Sequence, residues 1–221
     1  KGIGKAIAKY LLNKNYQIIG ISRTHSINHE NYISIRQDLK DTENLIKAIN
    51  SLKENYSSIK AVISNAGTGS FKKLENFSIR EINEFITLNL TTHIILAKSF
   101  INYFKKKKSG YFIFNGSEAS NIGGKKATLY SAAKHGLLGL AKSLRLECND
   151  SGIRVSIINA GMVKSSFFES LDFEPGENID NSIKTKDIAE LIFFLLASSK
   201  SINYFDINLD PLKKVIKFKK K

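Results

Sequence analysis

Thiol chemistry is nearly absent from this sequence: of 221 residues, only Cys148 is a cysteine. It has no partner for an intrachain disulfide and no second thiolate with which to build a metal site, and a reducing, cytoplasmic setting fits that usage. Proline is almost as scarce, with two in the chain, and no Gly/Ser-rich or charge-block segment divides it. Without a linker to cut at, residues 1–221 read as a single domain, and 42% hydrophobic residues are enough to bury one sizeable core. Long apolar runs are missing too. The run 192–197 falls far short of the roughly 20 residues that a membrane-spanning helix needs, so no membrane segment is expected. His25, His29, His93 and His135 are not spaced as metal ligands; no metal is expected, and His93 and His135 read as structural.

Methionine occurs once, at Met162, and the chain opens on Lys1-Gly2-Ile3-Gly4, directly ahead of a helical pattern. The opening is therefore not read as a native translation start. Acid is under-represented as well: 34 basic against 20 acidic residues give a net charge of +14, with lysine concentrated in 105–108 and 213–221. The plain interpretation is a solvated surface and a frayed lysine-rich end. The sharper one is attraction to phosphate-bearing partners, whether cofactor, acyl carrier or nucleic acid. Nucleic acid is the weakest of these, because the lysines lack aromatic interleaving or a recognisable nucleic-acid motif.

What the chain does have is an alternation of short apolar runs and helical periodicity. Ile3, Ile7 and Leu11 recur at four-residue intervals in 2–12, and 16–21 follows as a buried strand. Next come a strand at 32–36, a helix at 45–52 and a strand at 61–64. A long helix is expected over 79–104, a strand over 111–114, and a helix over 128–148. A strand at 155–158, a helix at 183–197 and a strand at 204–209 complete the order. The expected fold class is α/β: a doubly wound, mostly parallel sheet of Rossmann type between two helical layers. In such sheets ligands bind outside the carboxyl ends of the strands. Ser22-Arg23, Asn65-Ala66-Gly67, Ser117 and Asn159-Ala160-Gly161 all follow predicted strands and would line one crevice.

Tyr130 and Lys134 stand four apart on the 128–148 helix, so a phenol and an ammonium share one face. A free tyrosine titrates near ~10. A fixed positive charge beside it favours the phenolate, so a lowered tyrosine pKa is expected, as suits a general acid/base.

Together with Ser117, thirteen positions upstream of Tyr130, these residues make a pattern. The chain resembles the classical short-chain dehydrogenase/reductase family over nearly its whole length. Gly2-Ile3-Gly4 resembles the end of that family's glycine-rich turn, Asn65-Ala66-Gly67 its NAG motif, Ser117 its catalytic serine, and Tyr130 with Lys134 its YxxxK pair. Asn89 matches its catalytic asparagine. Each motif alone occurs by chance; their order and spacing together are specific. The family's first strand and first glycine have no counterpart here, so roughly a dozen residues are expected ahead of Lys1 in the native protein. Ala160 stands where the family usually has proline, and Asp206-Ile207-Asn208-Leu209 replaces its usual Asp-Gly-Gly ending.

The resemblance implies an oxidoreductase that moves hydride between a nicotinamide and a carbonyl or secondary alcohol. In it Tyr130 is the acid/base, Lys134 holds the nicotinamide ribose, Ser117 orients the carbonyl oxygen, and Asn89 positions a water linking Lys134 to solvent. Cofactor contacts are implied for Lys1, Gly2, Ile3, Ser22, Arg23, Asp38, Leu39, Asn65, Ala66, Gly67, Tyr130, Lys134, Gly161, Val163 and Ser165. Ser22-Arg23, with no acid, and the basic Lys1 favour NADP over NAD. Asp38 has a second interpretation, as a helix cap. Residues 165–185 correspond to the family's substrate-covering segment, and Phe167, Phe168 and Phe173 either line an apolar pocket or dock that segment on the core. A homodimer or homotetramer is implied. The alternatives are a 3-oxoacyl thioester reductase within the family, or a non-catalytic nucleotide-binding protein acting through its basic surface.

Overall fold

In the computed structural model, which describes residues 1–219, the strands alternate faces as the period of two requires. Strand β4 (Gly110–Asn115) turns Phe112 and Phe114 to one side and Tyr111 and Ile113 to the other. The first side is covered by α2 (Thr42–Asn55), α4 (Thr92–Lys107) and α5 (Thr128–Cys148), which bring Leu45, Ile49, Phe100, Phe104, Leu137 and Ala141 against the sheet. The second is covered by α1 (Gly2–Leu12) and α6 (Thr185–Ala197), through Ile7, Leu11, Ile188 and Ile192. This is the expected αβα layering. Burial of each large side chain contributes about 1.5–3 kcal/mol.

Parallel pairing orders β3 (Val62–Ser64), β4, β5 (Ile153–Ala160) and β9 (Asp206–Leu209) in one sheet, and β1 (Ile18–Ser22) with β2 (Tyr32–Arg36) in another. β1 and β3 do not pair. Ile19 and Ile21 on one side and Ala61 and Ile63 on the other border a slot between the two sheets, and among the described residues no strand fills it. That is why β1 and most of β3, which read as buried strands, are only half buried.

The long helix expected over 79–104 is interrupted. It comprises α3 (Ile79–Ile86), a π-helical turn at Thr87–Thr91, and α4. Side chains add bonds to the carbonyls of this stretch: Thr92 Oγ1 lies 2.8 Å from Thr87 O, which already accepts from the Thr92 amide, and Asn89 Nδ2 donates to Phe85 O at 3.0 Å. Short strand pairs flank the C-terminal edge. β6 (Val163–Lys164) pairs in parallel with β8 (Ile183–Lys184), and β7 (Phe173–Pro175) pairs antiparallel with β10 (Ile216–Phe218). The lysine-rich end is thus a strand over 216–218 and not frayed; its last two lysines, Lys220 and Lys221, lie outside the described residues.

Candidate active site

The carboxyl ends of β1, β3, β4 and β5 open onto one cleft of about 1750 Å³, a volume that includes the slot between β1 and β3. Every residue singled out for catalysis or cofactor contact lies on it: Lys1, Gly2, Ile3, Ser22, Arg23, Asp38, Leu39, Asn65, Ala66, Gly67, Asn89, Ser117, Tyr130, Lys134, Gly161, Val163 and Ser165. Elements far apart in sequence converge there because a parallel sheet brings all its strand ends to one side.

At the centre, Lys134 is 4% exposed and its Nζ donates to Asn115 O at 3.0 Å. Asn115 Nδ2 in turn donates to Asn65 Oδ1 at 3.0 Å, so the end of β4 ties the lysine to the Asn-Ala-Gly turn. Burial holds the Lys134 ammonium down to about 8. Tyr130, one helical turn earlier, has the Lys134 Nζ 5.8 Å from its ring centroid. Its pKa departs from expectation. Burial raises the phenol above its ordinary value, and the Ser117 hydroxyl beside it opposes that rise only in part, while Glu118 adds to it. The lysine does not bring the phenol down: desolvation is the largest cause of the Tyr130 shift and the sole cause of the Lys134 shift.

Ser117 is fixed by a short 3₁₀ turn, its Oγ accepting from Ala119 N at 3.2 Å. Asn89 is fully buried in the π turn, and its Oδ1 accepts from Thr68 N at 3.1 Å. A Cβ at Gly67 would stand 2.9 Å from that oxygen, so the Asn-Ala-Gly turn needs glycine for Asn89 to approach. Asn89 and Lys134 are each held by other partners, Thr68 and Phe85 for the first and Asn115 for the second. His93, one turn after Asn89, is structural as expected: its Nδ1 lies 2.6 Å from Ser64 Oγ, and burial with the Lys134 charge pushes its pKa down to about 3. Asp38 forms a local turn, accepting from Lys40 N at 2.9 Å, while Asp41 caps α2; the cap interpretation belongs to Asp41. Leu39 O accepts from Thr92 Oγ1, linking this corner to α4.

Three contributors escaped the sequence. Asn115 carries Lys134, and its place at the end of β4 was the available signal. Phe71 and Phe85 pack on the Tyr130 ring, with centroids 5.2 and 6.4 Å away, and nothing local marks either as a site residue. Phe167 reaches the same ring at 6.0 Å, so the covering segment both docks on the core and lines the site.

A model of the short chain dehydrogenase family matches residues 1–175. The chain belongs to that family. As a short-chain dehydrogenase/reductase it is an NAD(P)-dependent oxidoreductase acting on small-molecule substrates. It is 34% identical over 217 residues to the 3-oxoacyl-[acyl-carrier-protein] reductase FabG of Buchnera aphidicola subsp. Acyrthosiphon pisum, covering 92% of this chain and 88% of that protein. A short chain dehydrogenase family protein from Francisella tularensis is 26% identical with a TM-score of 0.82, covering 96% of this chain and 93% of that one. An alcohol dehydrogenase from Thermococcus sibiricus, solved with 5-hydroxy-NADP, shares the fold at 24% identity and a TM-score of 0.85, covering 97% and 94%.

The short-chain dehydrogenase cleft fits a dinucleotide on its own evidence. Helix α1 opens at Lys1 without a side-chain cap, and Gly2 takes a φ of +61°, so the first amides of the helix border the cleft as donors for a phosphate. Asn115 Oδ1 is buried without a partner beside Lys134. Among the described residues no cluster of side chains is arranged to hold a metal ion, and no helix is long and apolar enough to cross a membrane.

Proposed function

We propose that the protein is an NADP(H)-dependent carbonyl reductase in which Tyr130 is the acid, Ser117 and Asn89 shape the site, and Lys134 supports the proton supply. The observation that carries this is the convergence of these four residues on one cleft, with the buried Lys134 tied to Asn115 O. When bound, the nicotinamide supplies hydride to a carbonyl carbon or accepts it back. Tyr130 gives its phenolic proton to the carbonyl oxygen, giving an alcohol, and is recharged from solvent. The burial that raises the Tyr130 pKa keeps that proton in place at neutral pH, which suits the reducing direction. The Ser117 hydroxyl, held by its turn, hydrogen-bonds the same oxygen. Lys134, poised near neutrality at about 8, both holds the ribose hydroxyls and relays the proton.

The cofactor preference rests on the end of β1. Arg23 is exposed there and no acid accompanies it, while Ser22 Oγ donates to Thr24 O and shapes the turn. Lys1 borders the same cleft, 3.9 Å from Glu169 and largely in solvent. Both cations suit the 2′-phosphate of NADP. Asp38 and Leu39 flank the adenine side, and Gly161, Val163 and Ser165 the nicotinamide side. Among substrates, the names of the relatives favour a 3-oxoacyl thioester over a generic ketone. A homodimer through α4 and α5, whose outer faces leave Ile94 and Leu146 exposed, belongs to the same proposal. Action through a basic surface loses support, since Lys213, Lys214 and Lys217 are paired with Asp180, Glu118 and Glu177.

The test is NADPH oxidation over ketones, aldehydes and 3-oxoacyl thioesters. Tyr130→Phe is expected to lower kcat by about 1,000-fold; turnover undiminished in that variant would overturn the assignment. Arg23→Asp should cost about 10- to 100-fold in kcat/KM for NADPH and leave NADH unaffected.

A further inference from the structure

We propose that a closed ring of phenylalanines beside Tyr130 selects carbonyl substrates carrying an apolar chain and rejects polyhydroxylated ones. The inference rests on the reductase reading and names the part of the site that sets its substrate class.

Five rings make a continuous circuit. Tyr130 touches Phe71 at a centroid distance of 5.2 Å, Phe71 touches Phe173 at 5.1 Å, and Phe173 touches Phe168 at 5.8 Å. Phe168 touches Phe167 at 5.2 Å, and Phe167 returns to Tyr130 at 6.0 Å. All five border the cleft, and the Tyr130 hydroxyl is the one hydrogen-bonding side-chain group among them. Edge-to-face and tilted geometries of this kind are the favourable ones for aromatic pairs, so the wall is held by its own packing. The circuit also depends on Gly69. A Cβ there would stand 2.5 Å from Phe167 Cζ and 2.9 Å from Phe71 Cε2, so the missing side chain makes room for both rings next to Tyr130.

The wall is braced from behind by the end of the same chain. Phe218 of β10 lies opposite Phe173 of β7 in the antiparallel register, and Gly176 N donates to Val215 O at 2.9 Å. Lys219 N donates to Asp172 O at 2.8 Å, and its Nζ reaches Phe168 O. The lid strand is therefore fixed as half of a ribbon, and the outer rings keep their place while the inner ones meet substrate.

A carbonyl whose oxygen meets Ser117 and Tyr130 has its substituents beside these rings. An alkyl chain there exchanges water for apolar contact, whereas hydroxyl groups set against the rings would lose water without gaining a partner from them. The experiment compares kcat/KM, with saturating NADPH, for 3-oxoacyl N-acetylcysteamine thioesters of four, six and eight carbons and for an aldose. A rise of about 3- to 4-fold per methylene is expected, with the aldose poorest. Phe71→Ala and Phe167→Ala should flatten the rise, while Phe167→Leu, which keeps apolar volume, should retain most of it. Turnover that ignores chain length, or favours the aldose, would overturn the aromatic selection and leave the reductase reading standing. Absence of turnover with every carbonyl would overturn that reading, and the selection with it.

Discussion

The interior of the cleft and the ribbon that covers it handle charge in opposite ways. Inside, Lys134 and His93 are buried and without a counter-ion, and the lost water appears as displaced pKa values, to about 8 for the lysine and about 3 for the histidine. Outside, the acids of the lid meet the lysines of β10 and its approach: Asp180 with Lys213 at 3.0 Å, and Glu177 with Lys217. There the carboxylates move below their usual range because a partner favours the charged form. The difference teaches that burial without a counter-ion displaces protonation, whereas a solvated pair keeps both partners charged. A solvated pair holds geometry without altering protonation at neutral pH.

The largest effect that would break this comparison concerns His93. Its folded pKa is depressed from 6.5 to about 3, so between those values the unfolded chain binds a proton that the folded chain does not. Stability present above pH 6.5 should therefore be lost as pH falls toward 3, by about 5 kcal/mol in all. Denaturant titrations of the wild type and of a His93→Gln variant, compared across that window, would show it. A parallel decline in both would mean that the imidazole is not the cause.

Lys134 gives a smaller consequence of the same sign in a higher pH window. Its folded pKa of about 8 lies below the ordinary lysine value of 10.5, so the stability of its neutral form is present above 10.5 and lost as pH falls to 8. At pH 7 the fold carries a buried ammonium at a cost of about 3 kcal/mol. Lys134→Met should therefore raise stability at pH 7 by up to that amount, lose the advantage by pH 10.5, and abolish turnover. It should also raise the His93 pKa, since the Lys134 charge is one of the causes holding it down. Destabilisation at pH 7 would show that the bond to Asn115 O outweighs desolvation.

The smallest effect lies in the ribbon. Replacing Lys213 and Lys217 by Gln should shift the thermal midpoint by less than about 2 °C, because solvated pairs contribute little. A large loss of stability would erase the contrast between interior and cover.

These contrasts were only partly legible beforehand. The layers followed from periodicity and the placing of Asn65 and Ser117 from strand ends, both of which depend on short-range sequence, while the grouping of Asn89, Tyr130 and Lys134 with them came from the family resemblance. The sign of the Tyr130 shift did not, because the rings that desolvate it, Phe71, Phe85 and Phe167, come from three distant segments. β10 was hidden for another reason. All three of its residues are exposed, so no apolar alternation marks it, and its lysines suggested a solvated end. The π turn carries no compositional signature at all; the side chains that bond to carbonyls there, Thr92 and Asn89, are residue types that occur anywhere.

The π turn at Thr87–Thr91 fixes the place of Asn89 by a single residue. A π turn holds one residue more than a regular helix of the same span, so α3 and α4 could be joined by an ordinary helix one residue shorter. The surplus position is what lets Asn89 present its amide to the Thr68 backbone. Deleting one residue here would restore regular helix and turn Asn89 away from Thr68, removing a buried polar group from the cleft.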